Sequence, residues 1–254
     1  MSTTPRSPTR PAFTIIEVLI VIIIIVILAG LLLPAVQNAL RQAKVTACRV
    51  EIANLGVALD QYQTDFATYP PSCVWWRRVS GSGPWPNGWD TGEWRWYTTD
   101  PGDGMKMCGA ECLVYFLGGG PLYAGFHTGT KTYGPYMPVQ GGDLADVNQN
   151  GFREIQDAFR SGSVYLYFKA DRSRPGTEYT AADNAEMRDQ GGINPNGTPI
   201  PPGPGQPVRD PSNVYYRPTA HQLICAGIDE RYARQATLSE PEPSRDDITN
   251  FSSR

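Results

Sequence analysis

Hydrophobic and polar positions divide the chain into regions of different periodicity. The segment "AFTIIEVLIVIIIIVILAGLLLPAVQ" runs from Ala12 to Gln37, and no charge interrupts the nineteen residues from Val18 to Val36. At 1.5 Å per residue that stretch makes about 28 Å of helix, close to the ~30 Å hydrocarbon core of a bilayer. The pattern then changes. Val45, Cys48, Ile52, Leu55, Leu59, Tyr62 and Phe66 recur at alternating spacings of three and four, one apolar stripe on an otherwise polar helix. One helix is therefore expected from Phe13 to about Phe66, roughly 80 Å long. "TYPPS" (Thr68–Ser72) ends it, because a residue preceding proline is biased away from helix.

Beyond residue 70 the chain is rich in glycine and proline and reads as turns and short strands. "SVYLYFKA" (Ser163–Ala170), alternating tyrosine with aliphatics, and "HQLICAGID" (His221–Asp229) read as strands. "GGINPNGTPIPPGPGQPVRDPSN" (Gly191–Asn213) reads as a Pro/Gly loop. The expected fold class is α+β: a long N-terminal transmembrane and amphipathic helix packed on a small antiparallel sheet with long loops. The expected divisions are a leader at 1–12, a membrane half of the helix at 13–36, an amphipathic half at 37–70, and a loop-rich β domain at 71–254.

Charge orients this arrangement. Arg6 and Arg10 precede the apolar run, so the N-terminal side is expected in the cytoplasm and the C-terminal domain outside it. A signal peptide would have an apolar region of only ~7–15 residues and a small-x-small cleavage site. Here the run passes unbroken into "QNALRQAKVTACRVEIANL", so the segment is expected to stay as a single-pass anchor. A net charge of −3 argues against nucleic acid as a partner.

Glu17 is the anomaly. A carboxylate within a membrane helix costs ~2.5–3.5 kcal/mol on insertion scales and usually has a partner and a purpose. A cut between Ala12 and Phe13 would supply the partner, since the new amine would lie four residues from Glu17. "AFTIIEVLIVIIIIVILAGLLLPA" resembles the N-terminal methylation motif of type IV pilins and type II secretion pseudopilins. Phe13, Thr14, Glu17 and Pro34 match it in place; Ala12 stands where the family nearly always has glycine. "ALDQYQTDFATYPPS" (Ala58–Ser72) is similar to the helix end of the major pseudopilins through Leu59, Tyr62, Asp65, Tyr69 and Pro70. Asp157, Phe159, Ala226, Gly227, Asp229, Asp246, Asp247, Ile248 and Asn250 fit that group's closing turns, while Arg160 and Glu230 replace its glycines.

The resemblance implies a pilin-like subunit and no catalysis. A prepilin peptidase on the cytoplasmic face of a bacterial inner membrane would process it at Ala12 and Phe13, and the amine would be methylated. An inner-membrane assembly platform would pass it into a homo-oligomeric helical filament supporting protein export. Phe13, Glu17 and Pro34 would be the assembly residues. The alternative is a membrane-anchored binding module. All six tryptophans (Trp75, Trp76, Trp85, Trp89, Trp94, Trp96) fall in one Gly/Pro-rich stretch that could stack on a glycan or protein ligand, or pack as a mini-core of its own.

Candidate chemistry elsewhere is sparse. In "DVNQNGFREIQD" (Asp146–Asp157), Asp146, Asn148, Asn150, the Phe152 carbonyl, Glu154 and Asp157 occupy positions 1, 3, 5, 7, 9 and 12, with Gly151 at 6. That layout fits a calcium loop, with aspartate in place of glutamate at 12, or an Asx/Gly turn between strands. The resemblance adds weight to calcium, because major pseudopilins hold a structural calcium in this C-terminal region. Of five cysteines, Cys108 and Cys112 are spaced for a local disulfide or two free thiols and signal a metal only weakly. His127 and His221 lack a nucleophile–base signature, and "LGGGP" (Leu117–Pro121) lacks the lysine of a phosphate loop.

Overall fold

The computed structural model describes residues 14–80, 93–97, 102, 104–118, 126–128, 131–139, 142, 144–159, 163–175, 177–184, 187, 192–193, 199–200, 207–209, 215–217, 219–228, 232 and 248–251. At 78–80, 93–97, 126–128, 131, 192–193 and 199–200 it describes the backbone alone. The chain divides into two compact units, Met1–Ala43 and Lys44–Arg254.

The helix α1 spans Ile15–Phe66 and contains Pro34. Its N-terminal part is exposed at every position from Ile15 to Lys44 and is long and apolar enough to cross a membrane. The stripe read from the sequence is the buried one: Val45, Cys48, Ile52, Leu55, Leu59 and Tyr62 are buried together with Ala58, and Phe66 is partly so. Each such side chain contributes roughly 1.5–3 kcal/mol on burial. Ala67, in the left-handed region at φ 57°, stops the helix just before the Pro70–Pro71 pair.

The second unit is built from short antiparallel pairings. β1 (Val74–Ser80) lies between β2 (Glu93–Tyr97) and β3 (Met105–Met107). The helix α2 (Gly109–Gly118) follows. β4 (Phe126–Thr128) pairs with β5 (Lys131–Tyr133), and β6 (Leu144–Ala145) with β7 (Glu154–Ile155). β8 (Leu166–Lys169) forms one edge of a second three-stranded sheet, and β9 (Gly192–Ile193) pairs with β10 (Pro199–Ile200) inside the expected Pro/Gly loop. β11 (His221–Cys225) is the centre of that second sheet and β12 (Ile248–Thr249) its other edge.

This last sheet is buried on both faces, and the alternation seen in the sequence explains how. Tyr165, Tyr167, Leu223 and Cys225 join the core that contains the α1 stripe. Their neighbours Val164, Leu166, Phe168, Ile224 and Ala226 join a second core with Tyr179, Met187, Tyr215 and Tyr232. Successive strand residues point to opposite faces, so one strand serves two cores. Gln222 is buried within it, and its amide donates to the Val208 and Tyr216 carbonyls, both at 2.9 Å, and accepts from Val208 N–H.

The start of α2 is fixed by a close approach. A Cβ on Gly109 would lie 2.0 Å from the Tyr167 carbonyl oxygen, so the position admits glycine alone. Asn184 accepts from Ala110 N–H at 3.0 Å and donates to that same Tyr167 carbonyl at 2.7 Å, tying α2 to β8.

Candidate functional site

At the N-terminus of α1, Thr14 and Glu17 form a reciprocal cap. The Thr14 N–H and hydroxyl each donate to Glu17 Oε2 at 2.8 Å, and Glu17 N–H donates to Thr14 Oγ1 at 3.3 Å. This is the T-x-x-E capping box, which satisfies backbone donors that the first helical turn leaves over. The carboxylate therefore has an intrachain partner that the reading of Glu17 as a charge at membrane depth does not include. Ala12 and Phe13 lie outside the described residues. Pro34 lies within α1.

Where α1 ends, inside the second unit, the motif residues tie it to the rest of that unit. Leu59 and Tyr62 are buried. Tyr136 donates its hydroxyl to Asp65 at 2.8 Å, Tyr69 donates to Asp60 at 3.1 Å, and Tyr167 donates to the Pro70 carbonyl at 2.6 Å. At the C-terminal end, Asn250 accepts from Leu223 N–H at 3.0 Å and so holds the edge of β11, while Gly227 turns at φ 72°.

The loop 146–151 folds as consecutive Asx turns. Asp146 accepts from Gly151 N–H at 3.0 Å, Asn148 from Asn150 N–H at 3.2 Å, and Asn150 from Phe152 N–H at 2.9 Å. The side-chain amides of Asn148 and Asn150 donate to Glu111 Oε1 at 2.9 and 2.7 Å. Glu111 also accepts from Cys108 N–H through Oε2. Glu154 accepts from Val147 N–H at 2.9 Å through Oε2, while its buried Oε1 has no hydrogen-bond partner. Glu111 is 1% exposed and Glu154 0%.

Burial pushes the Glu111 carboxyl above its ordinary value. Burial, with the charges of Glu111 and Asp146 adding to it, pushes Glu154 up to about 8. The Asn148 and Asn150 amide nitrogens face Glu111 while their oxygens accept from backbone N–H groups, so among the described residues Glu154 Oε1 is the one buried carboxylate oxygen of this cluster left without a hydrogen-bond partner. No group of three or more His, Cys, Asp or Glu side chains among the described residues is arranged to hold a metal. Glu111 was absent from the sequence pattern because it comes from α2. Its signal is a lone charge in the apolar run "AECLVYFLG". Asp157, expected at position 12, accepts instead from Phe159 N–H at 2.9 Å and lies 3.7 Å from Cys225 Sγ. Phe152 packs in the core.

The tryptophan stretch is a strand pair where it is described. Trp75 and Trp76 lie in β1, opposite Tyr97 and Trp96 in β2, and Trp94 faces Arg78. Trp85 and Trp89 lie outside the described residues. Trp76 is 3% exposed and its ring meets Tyr115 of α2 edge-on at 5.1 Å, so it is a core residue and offers no face to a ligand. His221 is buried under the Tyr69 and Tyr167 rings, and neither ring nitrogen has a hydrogen-bond partner.

Comparison with known proteins gives a partial likeness. The chain is 43% identical over 58 residues to the type II secretion system core protein G of Pseudomonas aeruginosa, which takes in 23% of this chain and 41% of that protein. The chain thus spans about two fifths of the length of the curated relative it matches. No family model matches the chain, and no solved structure matches it.

Proposed function

We propose that this chain is a pilin-like structural subunit of a type II secretion pseudopilus or a related filament. The exposed half of α1 holds it in the inner membrane before assembly, with the second unit on the extracytoplasmic side. A prepilin peptidase removes residues 1–12, and the Phe13 amine is methylated. The assembly platform then draws the helix from lipid into a bundle of identical helices, where van der Waals packing replaces lipid contacts. The Phe13 amine and Glu17 of a neighbour set the stagger, and Pro34 allows the helix to bend in the bundle.

The observation that carries this reading is the composition of α1 along its length. One continuous helix is apolar and uncovered over its first part and carries a buried stripe over its second. Such a helix is a shared shaft at one end and a scaffold for a globular head at the other. The partial identity to a type II secretion core protein favours export over adhesion. The role is mechanical, with no catalysis.

A calcium ion belongs to the same proposal. Asp146, Asn148, Asn150 and Glu154 would hold it with Glu111, and the ion would supply the positive charge that two buried carboxyls call for. It would lock the loop against α2 and so stiffen the head.

N-terminal sequencing by mass spectrometry of the protein from its own membrane tests the filament reading. A mature chain beginning at N-methyl-Phe13 is expected. A chain retaining Met1, or cut within the apolar run, would overturn it.

A further inference from the structure

A cleft of about 480 Å³ opens in the second unit between the end of α1, the turn that follows β8 and the segment 178–183. Its volume falls within the ~300–1,000 Å³ of ligand sites. Two cations, Lys169 and Arg172, line it together with three acids, Asp171, Glu178 and Asp183.

Some of these charges are already engaged. Asp171 accepts from the Ser173 N–H at 3.0 Å and from the Ser173 hydroxyl at 2.6 Å, and pairs with Arg174 Nε at 3.2 Å. Asp183 accepts from the Ser72 hydroxyl. Both cations, by contrast, have donors to offer. Arg172 donates through Nε to the Thr219 carbonyl at 2.9 Å, and its two terminal nitrogens meet no acceptor among the described residues. The Lys169 ammonium has neither a hydrogen bond nor an ion pair among the described residues, although the residue is partly buried. Burial lowers the Lys169 pKa below its ordinary value; Asp171 opposes this and Arg172 adds to it. A bound anion would relieve a cation drawn partly out of water without a partner.

The backbone narrows the kind of anion. Ala170 N–H donates to the Ala220 carbonyl at 3.0 Å, and Lys169 stands opposite His221 in the ladder. Bonded and non-bonded pairs alternate along an antiparallel ladder, so Lys169 turns its own N–H and C=O away from β11, to the outer edge of β8. Its neighbours on that edge are taken. Asn184 donates to the Tyr167 carbonyl at 2.7 Å, and Asp171 N–H donates to the Glu178 carbonyl at 2.7 Å. Lys169, between them, has no backbone partner on that side among the described residues. Residues on both sides of this gap, Lys169 and Thr180, line the cleft. A peptide would bring an amide to the open edge and a carboxylate to the two cations. A free phosphate would meet the cations alone, and its higher charge would be repelled by the three acids.

We propose that this cleft binds an acidic side chain of an extended polypeptide segment of a partner protein. Lys169 and Arg172 hold the carboxylate, and the outer edge of β8 holds the main chain. This goes beyond the filament role and does not depend on it.

The test is a titration of the full-length protein in detergent with the capped peptide acetyl-Val-Thr-Glu-Thr-Val-amide, read by saturation-transfer NMR. The same peptide with glutamine in place of glutamate is the control. The glutamate peptide is expected to bind, and the glutamine peptide to bind about tenfold more weakly or worse. Lys169→Met, which keeps the apolar stem, and Arg172→Gln should each weaken binding of the glutamate peptide about tenfold. Arg172 is exposed, so its variant carries the test even where Lys169→Met fails to fold. Equal binding of the two peptides, binding of neither, or wild-type affinity in Arg172→Gln would overturn the proposal. Inorganic phosphate that displaces the glutamate peptide at a concentration equal to the peptide's own would mean a bare anion site, and would overturn it as well.

Discussion

Asn150 of the loop and Glu111 of α2 meet through an amide-to-carboxylate hydrogen bond of 2.7 Å, joining segments 39 residues apart in sequence. Beside it, Glu154 buries a carboxylate oxygen that no donor reaches. A cation at this place would relieve both carboxyls. Millimolar calcium should raise the melting midpoint of the purified protein, by a free energy of about 2.7 kcal/mol at a hundred times the dissociation constant. Glu154→Gln should abolish that response while leaving the calcium-free midpoint at neutral pH about the same, since a carboxyl pushed up to about 8 is already largely uncharged there. A wild-type midpoint indifferent to calcium and to chelator would leave the loop as a set of Asx turns.

Among the described glycines, Gly109 is the most closely enclosed. Its Cβ would sit 2.0 Å from the Tyr167 carbonyl oxygen and within 3 Å of the Asn184 amide, so Gly109→Ala must shift α2 away from β8. The expected loss is roughly 2–4 kcal/mol. Urea unfolding read by tryptophan fluorescence would measure it, and a loss under 1 kcal/mol would mean that α2 can slide.

His221 makes stability depend on pH. Burial holds its pKa down to about 4, with the Arg217 charge in the same direction and Asp60 opposing. The folded state therefore keeps the ring neutral, while the unfolded chain takes up a proton near 6.5. Between these values the unfolded state binds more protons, so stability falls as pH drops from about 6.5 to about 4 and no further below that on this account. The full effect is on the order of 3 kcal/mol. Melting midpoints at pH 7 and pH 4.5 should differ in the wild type and differ less in His221→Phe, which keeps the ring packing.

Glu17 can serve its own helix, a neighbouring subunit, or both, and two variants divide these roles. Thr14→Ala removes one side of the cap and should cost about 0.5–2 kcal/mol, confined to the first turn. Glu17→Gln keeps an acceptor for the cap but carries no charge for a Phe13 amine. Filament yield should fall severely in Glu17→Gln and only mildly in Thr14→Ala. Equal yields would show that capping alone accounts for the carboxylate.

The legible parts of this molecule are those with long, undisturbed periodicity. The stripe from Val45 to Tyr62 is written at helical spacing over five turns, and the Tyr/aliphatic alternation of 163–170 foretells a strand, though not that both its faces are buried. Elements of two or three residues, such as β6, β7 and β12, are too short for any period to show. Flanking glycines and prolines disguise β1 and β2 as loop, although "VWWRRV" has strand composition. Glu111 is illegible for another reason: a contact between α2 and a loop 37 residues on belongs to the tertiary structure. The T-x-x-E spacing at Thr14 is plain in the sequence, but an apolar setting draws attention to the charge of Glu17 and away from its geometry.

The first buried residue of α1 is Val45, and every position from Ile15 to Lys44 is exposed among the described residues. Solubility and stability are thereby uncoupled. A melting curve reports on the residues from Lys44 onward and is blind to the roughly thirty helical residues ahead of them. On the filament reading, a copy with a folded second unit still needs lipid, detergent or a bundle of its own kind to cover the exposed apolar helix. On that reading, substitutions in the two stretches fail differently, those in the second unit by denaturation and degradation, those in the exposed helix by stranding a native second unit where it cannot be used.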